Sequence, residues 1–494
     1  MYLGIDLGTS GVKLLLLDDA HAVVATADAA VPQHRPQPTW SEQHPADWWA
    51  AVEAAVAQLR AQVPAAWAQV RGIGLSGHMH GAVVLGAQGQ VLRPAILWND
   101  GRASAECAQL EGAMPTSREI TGNLAMPGFT APKLLWLRTH EPAVFAQIRT
   151  VLLPKDWLRL QLTGEAVSDM SDASGTLWLD VQARAWSPAM LQACGLDTSH
   201  MPALAEGSAP TGTLRSDVAR RWGLGGNVVV AAGAGDNAAS AVGVGARTAG
   251  QGFVSLGTSG VVFRVTDAFA PATERAVHAF AHALPQRWHH MSVMLSAASA
   301  FGWVTRLTGR SEEAQLSDAV GTLSTARQAQ APLFLPYLSG ERTPHNNAAA
   351  TGVFMGLRAE HEAADLAYAV MEGVGFGLLD GLNAMRAAGA RQGSASGDVG
   401  AALALVGGGA RSNPWAQLLA SALGTPLQRP QGAHAAAALG AARLAAMACG
   451  GDEAHWCQPL PGDATFVPQP AQQALLAERY ARFVALYPAL QSQF

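Results

Sequence analysis

Leu7–Val12, inside YLGIDLGTSGVKLLLLDD (2–19), reads LGTSGV, and the same six residues return at Leu256–Val261 inside GFVSLGTSGVVFRVTD (252–267). Apolar runs flank both copies, the pattern of a strand, a tight glycine turn and a second strand. Gly8 and Gly11 permit backbone geometry that other residues resist, so several N–H groups can face one concavity and form an anion nest. Thr9 and Ser10 add hydroxyl donors. Asp6 stands directly before the first turn and Lys13 just after it, whereas the second copy has Ser255 and Val262 at those places. A carboxylate for a metal ion, a nest for phosphate and a cation for its charge are the parts phosphoryl transfer requires. The first copy (Asp6, Gly8, Thr9, Ser10, Lys13) therefore reads as the metal-and-charge side. The second (Gly257, Thr258, Ser259) reads as a bare phosphate clamp. A single GTSG is an ordinary hairpin; the duplication argues for a paired site.

Outward from the first copy, 2–6 and 12–17 form a hairpin, WSEQHPADWWAAVEAAVAQLRAQV (40–63) a helix and VRGIGLSG (70–77) a returning strand. NVVVAAGAGDNAASAVGVGA (227–246) is an apolar strand, a glycine turn and a small-residue helix. After the second copy come a strand at MSVMLS (291–296), a helix over 363–387, a strand at ALALVGG (402–408) and helices from about Asn413 and Gly432. The order predicts two related α/β halves, 1–246 and 247–494. Residues 311–331, polar and Ala-rich, carry no signal that decides their order.

With 494 residues, 49% apolar and only 14% charged, the chain has ample material for cores and no disordered composition. A net charge of −5 without a clustered basic face argues against nucleic acid or an anionic membrane as partner, and for a small ligand. A strand beginning at Tyr2 leaves no room for a signal peptide, and no apolar run reaches the length of a membrane-spanning helix. Cys107, Cys194, Cys449 and Cys457 show no CxxC pairing, so reduced thiols in a cytoplasm are expected. Lys13 is one of three lysines against 29 arginines, which makes a lysine beside a nest harder to dismiss as surface filler.

Two further glycine turns carry candidate chemistry. VGGGARSN (406–413) would let a flat base or ribose approach the backbone at Gly408 and Gly409, with Asn413 as polar anchor at the helix start. No GxxxxGK[ST] stretch exists, so ATP would not be held by a P-loop. GAGDNA (233–238) formally fits a dinucleotide fingerprint, but Asp236 would sit where a pyrophosphate lies and no acid follows about 20 residues on. Asp236 reads instead either as a helix cap or as a carboxylate facing the cleft, able to accept a proton from a substrate hydroxyl. Trp98 in LWNDGR (97–102) offers a flat apolar face to a sugar, while Asp100 and Arg102 read as a structural pair.

The stretches IDLGTSGVK, LSGHMHGAVVL, LRPAILWNDGR, ITGNLAMPGFTAPKLLWL, LLPKDWLRLQLTGE, SDMSDASGT, GAGDNAASAVGVG, SLGTSG, HALPQRWHHMSVMLSAAS, FLPYLSGERTPHNN and LVGGGARSN, in that order, resemble the FGGY family of carbohydrate kinases from residue 1 to about 445. The resemblance implies an α/β fold of two actin-like ATPase domains with ribonuclease-H-like cores, ATP and sugar meeting in the cleft between them. Each domain contributes one phosphate-binding hairpin, which accounts for the duplicated turn. HMHG, ILWNDGR and ERTPHNN look closest to members acting on D-xylulose, so the implied reaction is ATP-dependent phosphorylation of D-xylulose on O5. By the same resemblance Asp236 is the general base and Asp6 supports Mg2+ and the phosphates, the two acids together forming the metal site. Met79, His80, Asn237 and Trp98 contact sugar. Gly257 to Ser259, Gly408, Gly409, Asn413 and Trp303 line the ATP site, and a homodimer is implied. Where many such kinases read QMHG, this chain has His78. On a strand His78 and His80 would face one side, which raises a metal-site reading; no third ligand is apparent, and a polyol gives His80 a hydroxyl partner.

Other acceptors (ribulose, gluconate, glycerol) would need the same phosphate machinery. An actin-like filament former or chaperone is a rival of another class, but it has no use for HMHG and WNDGR, and no peptide-binding region is appended. A sugar-sensing regulator would want a DNA-binding module.

Overall fold

The computed structural model describes residues 1–391 and 402–494. Its first half is built on a seven-stranded sheet in the order Pro210–Thr213, Val229–Ala231, Gly72–Gly77, Tyr2–Leu7, Gly11–Leu17, Val23–Ala30, with the short strand Ala234–Gly235 also on Gly72–Gly77. The second half repeats the plan: His278–Ala281, Trp288–Met294, Gly260–Thr266, Gly252–Leu256, Leu403–Val406, Leu427–Pro430, Gly462–Phe466. In each sheet the strand that opens the repeat pairs antiparallel with its hairpin partner and parallel with the strand on its other side. Two such sheets, joined in one chain, are the ribonuclease-H-like cores of an actin-like fold.

The two LGTSGV copies do not fold identically. In the first, Leu7 faces Val12 and Asp6 faces Lys13. In the second, Leu256 faces Gly260 and Ser255 faces Val261, a register one residue shorter. The closing bonds differ accordingly: Gly8 N–H to Gly11 carbonyl (2.9 Å) against Gly257 N–H to Ser259 carbonyl (3.1 Å). A one-residue slip turns every following side chain to the other face. Val12 therefore points into its domain core, while in the second copy Val262 is the core residue and Val261 is only half-buried. The structural counterpart of Lys13 is Val261, not the Val262 expected from aligning the letters.

Helix Ala436–Ala448, late in the sequence, lies on the first sheet and against helix Asp236–Val244. Glycines make this approach close. A Cβ on Gly4 would stand 1.9 Å from the Ala438 carbonyl oxygen, and one on Gly74 1.9 Å from that of Ala441. Gly440 and Gly243 meet the carbonyls of Ala239 and Ala436 in the same way. The halves are thus interlocked rather than strung on a linker, and Lys13 adds a bond from its ammonium to the His434 carbonyl (2.8 Å).

Between strands Gly72–Gly77 and Pro210–Thr213 the chain inserts a mainly helical region with its own core, which includes Met79, Phe129, Leu134 and Trp178. The segment 311–331 is ordered into helices Glu313–Gly321 and Thr325–Gln330. All four cysteines are free, and among the described residues no helix is long and apolar enough to cross a membrane.

Candidate active site

Three neighbouring strands bring the two acids together. Asp6 lies beside Ser76, and Ser76 beside Ala234, in one parallel register. Ser76 Oγ donates to Asp6 Oδ1 at 2.8 Å. Two residues past Ala234, Asp236 opens helix Asp236–Val244. Gly235, not Asp236, occupies the cap position, so the helix-cap reading of Asp236 falls. Its Oδ1 accepts from the Asn237 backbone N–H (2.7 Å) and side-chain Nδ2 (2.9 Å), and Oδ2 accepts no hydrogen bond among the described residues. Burial, and next the charge of Asp6, push the Asp236 carboxyl up to about 7. Burial also raises Asp6, offset by the Ser76 hydroxyl and the Lys13 charge.

The sugar-side residues converge on the same place. A Cβ on Gly235 would meet Met79 Cγ at 2.8 Å, and one on Gly175 would meet His80 Nδ1 at 2.6 Å and Met79 Cε at 3.0 Å. Those glycines are the space into which Met79 and His80 fit. His80 Nδ1 lies 2.7 Å from the Gly175 carbonyl, which can only accept, so Nδ1 carries the proton and Nε2 is an open acceptor. Its ring packs on Phe129 at 4.4 Å, and burial holds its pKa down to about 3, so the imidazole is neutral. Lys133 donates to the His80 carbonyl (2.8 Å) and that of Gly128 (2.7 Å), clamping the residue at φ +70°. Strand Gly72–Gly77 has ended before His78, and the two histidine rings take different partners. His78 packs edge-on to Trp48 at 5.8 Å with neither ring nitrogen hydrogen-bonded, and the paired-histidine metal reading falls. Among the described residues no group of three or more His, Cys, Asp or Glu is arranged to hold a metal ion.

Trp98, 45% exposed, sends its indole N–H to Thr9 Oγ1 at 2.9 Å, joining the sugar-side loop to the first hairpin. Gln43 Nε2 bonds the Thr9 carbonyl (2.7 Å). Asp100 and Arg102 form the expected structural pair, bonded at 2.8 and 2.7 Å, with Arg102 over Trp40.

A cavity of about 930 Å³ opens beside the second hairpin, lined by Gly257, Thr258, Gly408, Gly409 and Asn413. Gly407, at φ +93°, makes the sharp turn that brings Gly408 and Gly409 there. Ser412, not Asn413, caps helix Asn413–Leu423, its Oγ accepting from Trp415 N–H; Asn413 Oδ1 instead accepts from Arg429 at 2.9 Å. Trp303 does not line the cavity. Helix Ala298–Leu307 presents Ala298, Ser299, Gly302 and Arg306 to it, and Trp303, about 100° round from Gly302, stacks on Phe334 (5.7 Å) and Phe354 (6.1 Å). Ser299, Glu313 and Asp318 also line the cavity and were not singled out in the sequence. Ser299 Oγ donates to the Thr258 carbonyl (2.7 Å), a contact no local motif announces.

Paired hairpins, two acids at neighbouring strand ends and an open cavity beside the second hairpin define a two-domain actin-like phosphotransferase. The chain belongs to the FGGY family of carbohydrate kinases, matching the model of the family's N-terminal domain over residues 1–243 and of its C-terminal domain over 252–449. It is 51% identical to the xylulose kinase of Escherichia coli (strain K12) over 496 residues, 99% of each chain. It is 49% identical to the xylulose kinase of Klebsiella pneumoniae, again over 99% of each. The crystal structure of a xyloylose kinase from Brucella ovis superposes with a TM-score of 0.95 at 48% identity, covering both chains fully.

Proposed function

We propose that this protein transfers the γ-phosphoryl group of ATP to O5 of D-xylulose, releasing D-xylulose 5-phosphate and ADP, with Asp236 as general base. The near-complete alignment with xylulose kinases supports the substrate. One geometric observation carries the mechanism: Asp236 stands at a strand end, next in the chain to the Gly235 on which Met79 packs, with Oδ2 open and its pKa raised to about 7, where a base must sit to act at neutral pH.

The sugar would lie against Met79, with His80 Nε2 accepting one hydroxyl and Asn237 and Trp98 supplying further contacts. Asp236 takes the proton from the O5 hydroxyl as O5 bonds to the γ-phosphorus. The bond from that phosphorus to the β–γ bridging oxygen breaks, and ADP leaves with the electron pair. The first hairpin (Gly8, Thr9, Ser10) and the second (Gly257, Thr258, Ser259) cradle the phosphates, while Gly408, Gly409 and Asn413 border the adenosine. Lys13 lends its charge from beside Asp6, tied to the second half through His434. Asp6 and Asp236 would hold Mg2+; the charge of Asp6 raises the Asp236 carboxyl, a repulsion that a divalent cation between the two would relieve. When bound, that ion neutralises charge on the transferring group. The domain seam is placed at 246/247, and the working form as a homodimer in the cytoplasm with no nucleic-acid or membrane partner.

The test is coupled detection of ADP release with Mg-ATP and D-xylulose, D-ribulose, L-xylulose, glycerol or gluconate in turn. Turnover confined largely to D-xylulose is expected; preference for another acceptor overturns the substrate. Asp236→Ala should lower kcat by about 10²-fold or more with ATP binding intact. Near-normal turnover in that folded variant overturns the base.

A further inference from the structure

Behind the strand end that carries Asp236 lies a fully buried ionic cluster. Lys155, with no exposed surface, sits under Gly77: a Cβ on Gly77 would be 3.0 Å from Lys155 Cβ. Its ammonium is 2.5 Å from Asp156 Oδ1, 3.0 Å from Asp169 Oδ1 and 3.7 Å from Asp172 Oδ2, all side chains at most 1% exposed. Burial alone would lower the lysine, but the three carboxyls hold it protonated. Burial drives Asp172 well above the usual carboxylate range, with Lys155 pulling it down and Asp156, Asp169 and Asp236 pushing it up.

The cluster has a directed outlet. Asp169 Oδ2 accepts from Ser171 Oγ (2.5 Å), Ser171 N–H (2.8 Å) and Asp172 N–H (3.2 Å). Ser171 Oγ in turn accepts the Gly235 N–H at 3.2 Å. Gly235 faces Gly77 in the last rung of the ladder and is the residue before Asp236. A buried ion cluster is a costly way to fill a core that apolar residues would fill as well or better, so its value lies in directed geometry. Catalysis is where sub-ångström placement matters.

We propose that Lys155, Asp169 and Ser171 are positioning residues for the reaction, a buried relay that fixes the Gly235 amide and through it the carboxylate of Asp236. The inference rests on the reading of Asp236 as general base. Ser171→Ala removes one hydroxyl and no charge, and Lys155→Met removes the anchor. Both are made in the full chain, alone and together, and assayed with Mg-ATP and D-xylulose well below their melting temperatures.

Each single variant should lower kcat by about tenfold or more with the KM for ATP unchanged, the scale of a small misplacement of a reacting group. The double variant should be no slower than Lys155→Met, because both act through one relay. The proposal is overturned if Ser171→Ala keeps kcat within about twofold of the parent, if the two losses multiply, or if the KM for ATP rises in step with the fall in kcat. Should Lys155→Met fail to fold, Ser171→Ala decides alone. Asp236→Ala run in parallel separates the two ideas: an active Asp236→Ala removes the base, whereas an inactive one beside a normal Ser171→Ala removes only the relay.

Discussion

Asp236 pays for its reactivity in stability. A carboxyl lifted from 3.8 to about 7 on folding keeps, between those values, a proton that the unfolded chain gives up. Stability therefore falls as pH rises through that window, and the loss is complete above about pH 7. Asp236→Asn removes the ionisable group, so at pH 8 its melting temperature should exceed the parent's by at least roughly 2 °C, the scale of about 1 kcal/mol in a large domain and the low end of what a lift of about three pKa units can cost, with the gain fading towards pH 4. A variant no more stable than the parent at pH 8 would contradict the burial cost. The same pKa sets the acid limb of kcat/KM for the sugar: activity should rise through about pH 7, where the free enzyme's base ionises. His80 cannot be the source of that limb, because it is already neutral there. In the sequence, Asp6 and Asp236 were legible because each stands where an apolar strand breaks into a glycine turn. Trp303 misled because a helix turns about 100° per residue, and its neighbour Gly302, not the indole, faces the cavity.

Helices locked by buried charge form the next level. Helix Pro470–Leu490 is fastened to helix Ala363–Arg391 by Arg479, whose Nε and Nη2 reach the Glu372 carboxylate at 2.5 and 2.7 Å. Its other hydrogen bonds go to the carbonyls of Ala329, Ala331 and Pro332. Arg479→Ala leaves the Glu372 carboxyl buried without its partner, and should cost about 3–5 kcal/mol. An Arg479→Met, Glu372→Met double variant should lose less, since nothing charged is stranded. Urea unfolding midpoints at fixed slope measure both; a single variant within about 1 kcal/mol of the parent would refute the account. The two hairpins show why element-level letters are incomplete. Identical LGTSGV segments close with different registers because their surroundings differ. Thr9 is held by Gln43 and Trp98, whereas the carbonyls of Gly257 and Thr258 accept N–H bonds from Ala298 and Ala297.

Across the whole molecule, the contact between the halves runs through glycines with no room for a side chain. Gly440→Ala would place a methyl 1.8 Å from the Ala239 carbonyl oxygen, on the helix that begins at Asp236. Backbone must move to admit it, so the variant should lose at least the ~1–3 kcal/mol typical of overpacking, and kcat with it. Gly112→Ala, where a Cβ meets nothing within 4 Å, is the control. Equal melting temperatures and turnover for the two would show that the seam is looser than it looks.

The amino-acid sequence by itself determined the two repeated α/β halves, the duplicated phosphate-type turns, the acids at strand ends and the family, because periodicity, glycine turns and ordered motifs are local and survive without coordinates. Tertiary structure alone decided the register of the second hairpin, the passage of helix Ala436–Ala448 onto the first sheet, the different partners of His78 and His80 and the relay from Lys155 to Gly235. Each depends on which residues distant in the chain compete for one backbone group or one space. That competition is settled only when the sheets and helices have packed.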